Sequence, residues 1–202
     1  MVNVGLIGDA GSRSVQILRS FVQIISDHAS PIAQIVKADL AGDPRSPIPV
    51  GASDTRVIHI SRVVFRIGNQ MHTIFAPNED ERPLIQMGIV TVSRIARIMA
   101  TVFSLNESLD SQLGFFSRVR FIPRTVVVAF TGGDLLGNRA AQVIEAYKNG
   151  VRAYFELQRH VDIAQSYFIS EYELENAEGT AIDIMLFILS LVMVESGHEE
   201  VI

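Results

Sequence analysis

Residues 8–14 of the chain, Gly-Asp-Ala-Gly-Ser-Arg-Ser, link a short apolar segment to one whose apolar residues have helical spacing. A strand that runs through a glycine-containing turn into a helix presents backbone N–H groups, and such groups bind phosphate. The planar guanidinium of Arg13 is suited to pairing with a phosphate. The same residues also fit a plain strand-to-helix turn in which Ser12 or Ser14 lies near the helix N-cap. The sequence leaves both interpretations of this loop open.

A second group of polar residues follows the clearest strand in the sequence, Thr125–Phe130, which contains three consecutive valines. The chain continues as Thr-Gly-Gly-Asp, and Asp134 is either a binding carboxylate or a turn residue beside two glycines. Further polar loops follow the strand-like segments Met71–Phe75 and Ser166–Glu171. Because ligands bind at the carboxyl ends of parallel strands, we expect these loops to gather along one rim of a sheet.

The elements that must position these loops alternate between strands and helices. We predict strands at Met1–Ile7, Arg56–Ile67, Met71–Phe75, Ile95–Leu105, Thr125–Phe130 and Ser166–Glu171, with a short strand or turn at Ile35–Leu40. We predict helices from Ser14 to near His28, and at Leu84–Val92, Leu109–Val119, Asn138–His160 (with a possible break at Asn149-Gly150) and Glu178–Glu195. Gly68 and Asn69 predict a hairpin turn. The pattern predicts an α/β fold with a mainly parallel sheet of about six strands, one antiparallel edge strand and helices on both faces.

Length and composition favour one globular domain over residues 1–202. The chain is 48% apolar and 19% charged, and 202 residues are enough to bury a sizeable core. The net charge of −5, without a basic run, argues against nucleic acid as a partner. The chain has no cysteine, which excludes disulfides and cysteine-based metal sites.

The sequence gives no indication of a membrane span. The most apolar stretch, Ala181–Val194, contains Asp183 and is shorter than the roughly 20 residues that a spanning helix needs. The first residues lack the basic and apolar regions of a signal peptide. We therefore expect a cytoplasmic protein.

The order of the elements and the positions of these loops resemble the Ras-like small GTPase superfamily. Within it, the sequence is most similar to the prokaryotic Arf- and Mgl-type branch, the gliding-motility GTPases associated with Roadblock-fold regulators. The resemblance covers nearly the whole chain. It implies a three-layer P-loop NTPase-like fold, with GTP or GDP and Mg²⁺ as the cofactors.

The resemblance assigns roles to residues of the first loop and to the aspartate after the Thr125–Phe130 strand. With a loop one residue shorter than the family's GxxxxGK[ST], Arg13 takes the place of the lysine and Ser14 that of the Mg²⁺-binding hydroxyl. Without that gap, Arg13 replaces the second glycine and Ser14 replaces the lysine. Thr55 matches the threonine that coordinates Mg²⁺ in the family. The residues placed at the cofactor are Gly8, Asp9, Ala10, Gly11, Ser12, Arg13, Ser14 and Asp134.

Several motif positions depart from the family's pattern. Pro77 matches the TPGQ motif of the Mgl-type branch, but Asn78 replaces the glycine whose N–H meets the γ-phosphate. Glu79 stands where the family has the residue that orients the attacking water. It begins a run of three acidic residues, and such charges beside a polyanion are costly at close range. Asp134 is retained from the NKxD motif, whose asparagine and lysine are absent.

These departures predict a pseudo-GTPase, a GTPase-like protein that binds nucleotide weakly or not at all and acts as an interaction or regulatory module. The alternative is a divergent but active switch that hydrolyses GTP to GDP with Mg²⁺, its site formed by Arg13, Ser14, Thr55 and Asp134. A dinucleotide enzyme is a third reading, since residues 8–13 distantly resemble GxGxxG.

Protein partners follow only from the resemblance and from the terminal helix. A Roadblock-type regulator would contact the two switch loops, which correspond to residues 29–55 and 76–92. Self-association is the other candidate, because the terminal helix is apolar nearly all round. Such a helix predicts deep burial or a subunit interface.

Overall fold

The architecture is that of a computed structural model, which describes residues 2–9, 11–27, 33–40, 60–77, 82–118, 125–176 and 182–196. Seven strands in these ranges form one sheet, in the order β2-β3-β4-β1-β5-β6-β7. The strands are β1 (Val2–Gly8), β2 (Ala33–Asp39), β3 (Ile60–Ile67), β4 (Gln70–Pro77), β5 (Ile98–Ser104), β6 (Thr125–Thr131) and β7 (Asp162–Ile169).

Antiparallel pairing is confined to one edge of the sheet, and the predicted α/β fold is confirmed. Strand β3 runs antiparallel to β2 and β4, whereas β4, β1, β5, β6 and β7 are parallel to one another. The β3–β4 hairpin turns at Gly68 and Asn69, and Gly68 has a φ of +55°, which favours glycine. The sheet has seven strands rather than about six, because the segment left open as a strand or turn forms edge strand β2.

Helices cover both faces of the sheet. They are α1 (Ser14–Asp27), α2 (Arg82–Ile95), α3 (Leu109–Phe116), α4 (Ala140–Arg152), α5 (Glu171–Glu175) and α6 (Ile182–Ser196). A 3₁₀ segment, Gly133–Arg139, precedes α4, and a π-helical segment, Ala153–Gln158, continues it. The possible break at Asn149-Gly150 is absent, because α4 runs through both residues. A Cβ at Gly150 would lie 2.5 Å from Leu109, so this glycine permits close packing of α4 on α3.

The alternation of side chains along the central strands creates two apolar layers. On β5, Ala100 and Val102 face the layer beneath α1 and α6, whereas Met99 and Phe103 face the layer beneath α4. These four side chains are at most 2% exposed. The second layer contains a cluster of phenylalanine rings, in which Phe103 lies within 6.3 Å, centroid to centroid, of three others. Such continuous burial on both faces is typical of central parallel strands.

The end of the last strand differs from its predicted position. Strand β7 ends at Ile169, and Glu171, predicted as the last strand residue, is the first residue of α5. Ser170 is the N-cap of this short helix, and its Oγ accepts a hydrogen bond from the N–H of Glu173 at 3.1 Å. Serine is a favoured N-cap residue because its hydroxyl satisfies an otherwise unpaired N–H group.

Helix α6 is buried along one face only. Ile184, Phe187, Ile188 and Leu191 are fully buried in the first layer, while other apolar residues of the helix are exposed. Deep burial, one of the two expectations for this helix, therefore holds for half of its surface. None of the described helices has the length and apolar character needed to cross a bilayer.

Candidate functional site

The loops that follow β1, β6 and β7 meet at one rim of the sheet. The Thr131 hydroxyl at the end of β6 donates a hydrogen bond to the carbonyl oxygen of Ser12 in the first loop, at 3.4 Å. Arg13 and Asp134, which the sequence singled out in separate loops, both contact Glu171. The structure thus brings the two predicted groups together through a residue for which no role was predicted. Their predicted roles in cofactor binding remain predictions.

The first loop is a tight turn that leads directly into α1. The N–H of Ser12 donates to the carbonyl of Asp9 at 3.0 Å, and Gly11 has a φ of +84°. Arg13 also has a positive φ, +68°, an uncommon conformation for a residue with a Cβ. Its carbonyl accepts the first hydrogen bond of α1, from the N–H of Ile17 at 2.9 Å. Arg13 therefore occupies the N-cap position, between the two serines that the sequence suggested for it.

The interior of this loop is filled by serine side chains. The hydroxyls of Ser12 and Ser14 lie 2.9 Å apart, and both residues are buried. A Cβ added to Gly8 would lie 2.1 Å from the Oγ of Ser12 and 2.8 Å from that of Ser14. Glycine is required at position 8 because the chain folds back onto itself there. The space beside Gly8 is taken by the loop's own hydroxyls.

The guanidinium of Arg13 is paired with a carboxylate of the same chain. Its Nη2 lies 3.0 Å from Oε2 of Glu171, and the two side chains are 46% and 9% exposed. The pair joins a half-exposed cation to a nearly buried anion, a setting that loses less to solvent screening than a surface pair does. No pattern in the sequence marks Glu171. Its role depends on α5 beginning directly after β7.

Asp134 is engaged by the backbone at the start of α5. Its Oδ1 accepts a hydrogen bond from the N–H of Glu171 at 2.9 Å, and its Oδ2 accepts one from the N–H of Tyr172 at 3.2 Å. A carboxylate is a good acceptor at a helix N-terminus, where N–H groups lack partners within the helix. Both oxygens of Asp134 therefore accept hydrogen bonds that stabilise the start of α5. This is consistent with the interpretation of Asp134 as a turn residue.

A second carboxylate approaches the first loop from the turn between β5 and α3. A Cβ built on Gly11 would lie 3.4 Å from Oε1 of Glu107, so this acidic side chain lies against the loop. The hydroxyl of Tyr147 on α4 donates to the carbonyl of Glu107 and fixes the backbone there. Burial raises the pKa of Tyr147, and the nearby carboxylates of Glu107 and Asp110 raise it further. Two acidic side chains, Glu107 and Glu171, thus flank the turn that would receive a phosphate.

Several of the side chains that the resemblance assigns to the cofactor already have partners within the chain. Arg13 is paired, both oxygens of Asp134 accept hydrogen bonds, and the Ser14 hydroxyl contacts Ser12. Among the described residues, no group of three or more His, Asp or Glu side chains is placed to hold a metal ion. Three predicted site residues, Ala10, Thr55 and Glu79, lie outside the described ranges.

Sequence comparison finds no matching protein-family model and no significantly similar curated protein. Comparison with solved structures finds GTP-binding proteins. A GTP-binding protein from the archaeon Sulfolobus solfataricus in complex with GDP is similar with a TM-score of 0.53 and 13% identity, over 94% of this chain and 53% of that one. The bacterial selenocysteine-specific elongation factor EF-Sec has a TM-score of 0.57 and 12% identity, over 94% of this chain and 29% of that one.

A third solved structure, the G235S variant of SsGBP, has a TM-score of 0.51 and 12% identity, over 95% of this chain and 57% of that one. The chain thus spans between about a third and a little over half of these proteins. At such low identity the similarity concerns the fold alone. The fold is GTPase-like, and these neighbours do not single out the Arf- and Mgl-type branch.

Proposed function

We propose that this chain is a pseudo-GTPase, a GTPase-like protein whose nucleotide site is closed by its own side chains and which acts through protein contacts. The observation that carries the proposal is the engagement of Arg13 and Asp134 by one segment, Glu171–Tyr172. By the family resemblance, these two side chains would bind phosphate and guanine. Here they connect the first loop to α5.

Phosphate binding at the first loop would require breaking the pair between Arg13 and Glu171. The released carboxylate would stay close to the incoming anion, because Glu171 is held by the backbone of α5. Glu107 adds a second negative charge beside Gly11. At a separation of 4 Å, two like charges repel by about 4 kcal/mol at the effective dielectric of a protein surface. These two carboxylates support weak or no binding of a triphosphate.

Guanine binding would compete for the carboxylate of Asp134. The base would have to displace the N–H groups of Glu171 and Tyr172, which would then lose their acceptors at the start of α5. A hydrogen bond to a charged group contributes about 1.5–3 kcal/mol, and less where it is exposed, as it is at Tyr172. The loss of these bonds would reduce the gain from any hydrogen bonds to the base.

The second candidate function is a divergent but active GTP switch. It is favoured by the 46% exposure of Arg13, which leaves one side of the guanidinium accessible to an incoming phosphate. A solved structure of similar fold contains GDP, which agrees with this candidate. In that case Arg13, Ser14, Thr55 and Asp134 would hold GTP and Mg²⁺. Changing Arg13 or Asp134 would then reduce turnover of GTP.

The protein partner of the proposed module remains a prediction from the resemblance. A Roadblock-type regulator would contact residues 29–55 and 76–92, much of which lies outside the described ranges. Self-association is the second possibility. The cytoplasmic location likewise remains a prediction.

Titration of the purified, nucleotide-free protein with fluorescent GDP and GTP, with and without Mg²⁺, tests the proposal. We expect no saturable binding up to about 1 mM, which corresponds to a binding free energy weaker than roughly −4 kcal/mol. Mg²⁺-dependent binding at micromolar concentration, lost on Arg13→Ala, would overturn the pseudo-GTPase and support the active switch.

A matched pair of variants tests whether Glu171 is the group that closes the site. Glu171→Gln removes the negative charge but keeps the backbone N–H that Asp134 binds. Glu175→Gln removes a charge from an exposed residue of the same helix and serves as the control. We expect the first variant to bind nucleotide more tightly than the wild type and the control to match the wild type. Equal affinities in all three would show that Glu171 does not exclude nucleotide.

A further inference from the structure

One face of α6 carries a straight line of large apolar side chains that no described element covers. Ile182 is 58% exposed, Leu186 51% and Met193 72%, and Leu189 lies half-buried between the last two. Their positions along α6 place all four within an arc of about 60° on an α-helix. We call these four residues the α6 stripe.

The α6 stripe is separate from the apolar layer beneath the helix. The residues that fill that layer, Ile184, Phe187, Ile188 and Leu191, lie on the opposite side of α6 and are fully buried. The stripe is therefore not part of the hydrophobic core of the chain. Several large apolar side chains exposed in a row are unusual on a monomeric protein and are typical of an interaction site.

The charges of α6 narrow the choice of what covers the stripe. The helix contains no lysine or arginine between Ile182 and Ser196, and its described charged residues are acidic. The whole chain has a net charge of −5. Helices that lie on anionic membranes carry basic residues on their polar face. A lipid surface and an acidic partner are therefore both disfavoured, whereas an uncharged apolar surface of the same shape is suitable.

The spacing of the stripe makes it complementary to itself. The intervals between its residues are four, three and four positions, and this pattern reads the same in both directions. A second α6 packed antiparallel across a two-fold axis therefore places Ile182 against the partner's Met193 and Leu186 against the partner's Leu189. The antiparallel arrangement also sets the helix dipoles in opposite directions, which is favourable.

We propose that the α6 stripe is the interface of a homodimer in which two copies of the chain pack α6 against α6, antiparallel. Four side chains per copy form a contact that is small compared with the ~1,200–2,000 Å² of surface buried in stable interfaces. The dimer is accordingly weak and transient. The proposal rests on the proposed function only in that both involve protein contacts. Nucleotide titration and oligomeric state report on them separately.

Sedimentation of the whole chain over a range of concentrations tests the dimer. We expect a reversible monomer–dimer equilibrium that Leu186→Glu weakens at least about tenfold, since a carboxylate would be buried against the partner's Leu189. Leu157→Glu is the matched control, because Leu157 is 73% exposed and lies on the π-helical segment over the other face of the sheet. A wild type that stays monomeric to about 1 mM would overturn the proposal. An equal effect of both variants would also overturn it.

Disulfide cross-linking tests the relative orientation of the two α6 helices. Because the chain has no native cysteine, only the introduced cysteines can cross-link. Ile182→Cys and Met193→Cys each alter an exposed side chain, so the fold is expected to tolerate both. A mixture of the two variants should form a cross-linked heterodimer under mild oxidation, whereas each variant alone should not cross-link. Cross-linking of either variant alone would indicate a different packing and overturn the antiparallel arrangement.

Binding of the monomer to phosphatidylcholine vesicles, lost on Leu186→Glu, would overturn the homodimer in favour of lipid.

Discussion

The centre of the sheet and its carboxyl rim are stabilised by different kinds of interaction. At the centre, β1, β5 and β6 are buried on both faces and carry the alternating apolar side chains of a GTPase-like fold. At the rim, the loop after β1 and the loop after β6 are joined by an ion pair and hydrogen bonds to the start of α5. The centre requires only shape and hydrophobicity. The rim requires particular functional groups in particular places.

The difference teaches that the fold and a binding site depend on different properties of the sequence. Burial of apolar area depends on the pattern of residues and tolerates many sequences. A ligand site depends on individual side chains, and here Arg13 and Asp134 have partners within the chain. An inference from the fold to nucleotide binding would rest on analogy alone. The following predictions separate the two regions, beginning with the largest effect.

The largest effect is expected at the centre of the sheet. Phe103→Ala removes a fully buried ring that packs against three other phenylalanines, and we expect a loss of about 3–5 kcal/mol in the free energy of unfolding. Chemical denaturation measures the change. Leu157→Ala, at an exposed position, should change the stability by no more than about 0.5 kcal/mol. Similar losses in both variants would contradict the assignment of the core.

A smaller loss is expected where the first loop folds back on β1. Gly8→Ala places a Cβ 2.1 Å from the Oγ of Ser12, and we expect this overpacking to cost about 1–3 kcal/mol. Ser12→Gly in the same chain removes most of the clash and should restore part of the stability. The double-mutant cycle, measured by denaturation, checks this coupling. Additive effects of the two substitutions would show that Ser12 does not fill the space beside Gly8.

Asp134→Ala should lower the free energy of unfolding by about 0.5–2 kcal/mol, because one partly buried and one exposed N–H group at the start of α5 lose their acceptor. Hydrogen exchange should locate the change at α5, with the centre of the sheet unaffected. Asp134→Asn keeps an acceptor oxygen and should lose less. A variant as stable as the wild type would show that Asp134 does not anchor α5.

The smallest effect concerns Glu173, which lies beside the rim on α5. Burial raises the pKa of Glu173, and the nearby carboxylate of Asp183 raises it further. The folded state therefore binds this proton more tightly than the unfolded state does, and that contribution to stability is lost as the pH rises through the raised pKa. Glu173→Gln should be slightly more stable than the wild type at pH 7. The difference should vanish as the pH falls to about 4.

Thermal unfolding of both proteins at several pH values measures this difference. Asp162→Asn changes an exposed acidic residue on β7 and serves as the control for charge alone. A difference that grows as the pH falls would contradict the direction of the shift at Glu173.

Much of the centre could be predicted from the sequence, and much of the rim could not. The valines of β6 and the Gly68-Asn69 turn fix their elements locally, because β-branched residues and turn glycines act within a few positions. The pairing of Arg13 with Glu171 links residues far apart in the chain, and it depends on where β7 ends and α5 begins. The continuity of α4 was missed because Gly150 is usually a helix breaker. Its packing reason, Leu109, lies on another helix.

Backbone amide NMR of Glu171 and Tyr172 during addition of GDP and Mg²⁺ tests the central claim most directly. In the structure these two N–H groups donate hydrogen bonds to Asp134. Both signals therefore report on the carboxylate that guanine would need. We expect both signals to keep their positions and to stay protected from exchange up to about 1 mM nucleotide. Saturable shifts of both signals at micromolar nucleotide would show that the rim opens to a ligand and would contradict the pseudo-GTPase.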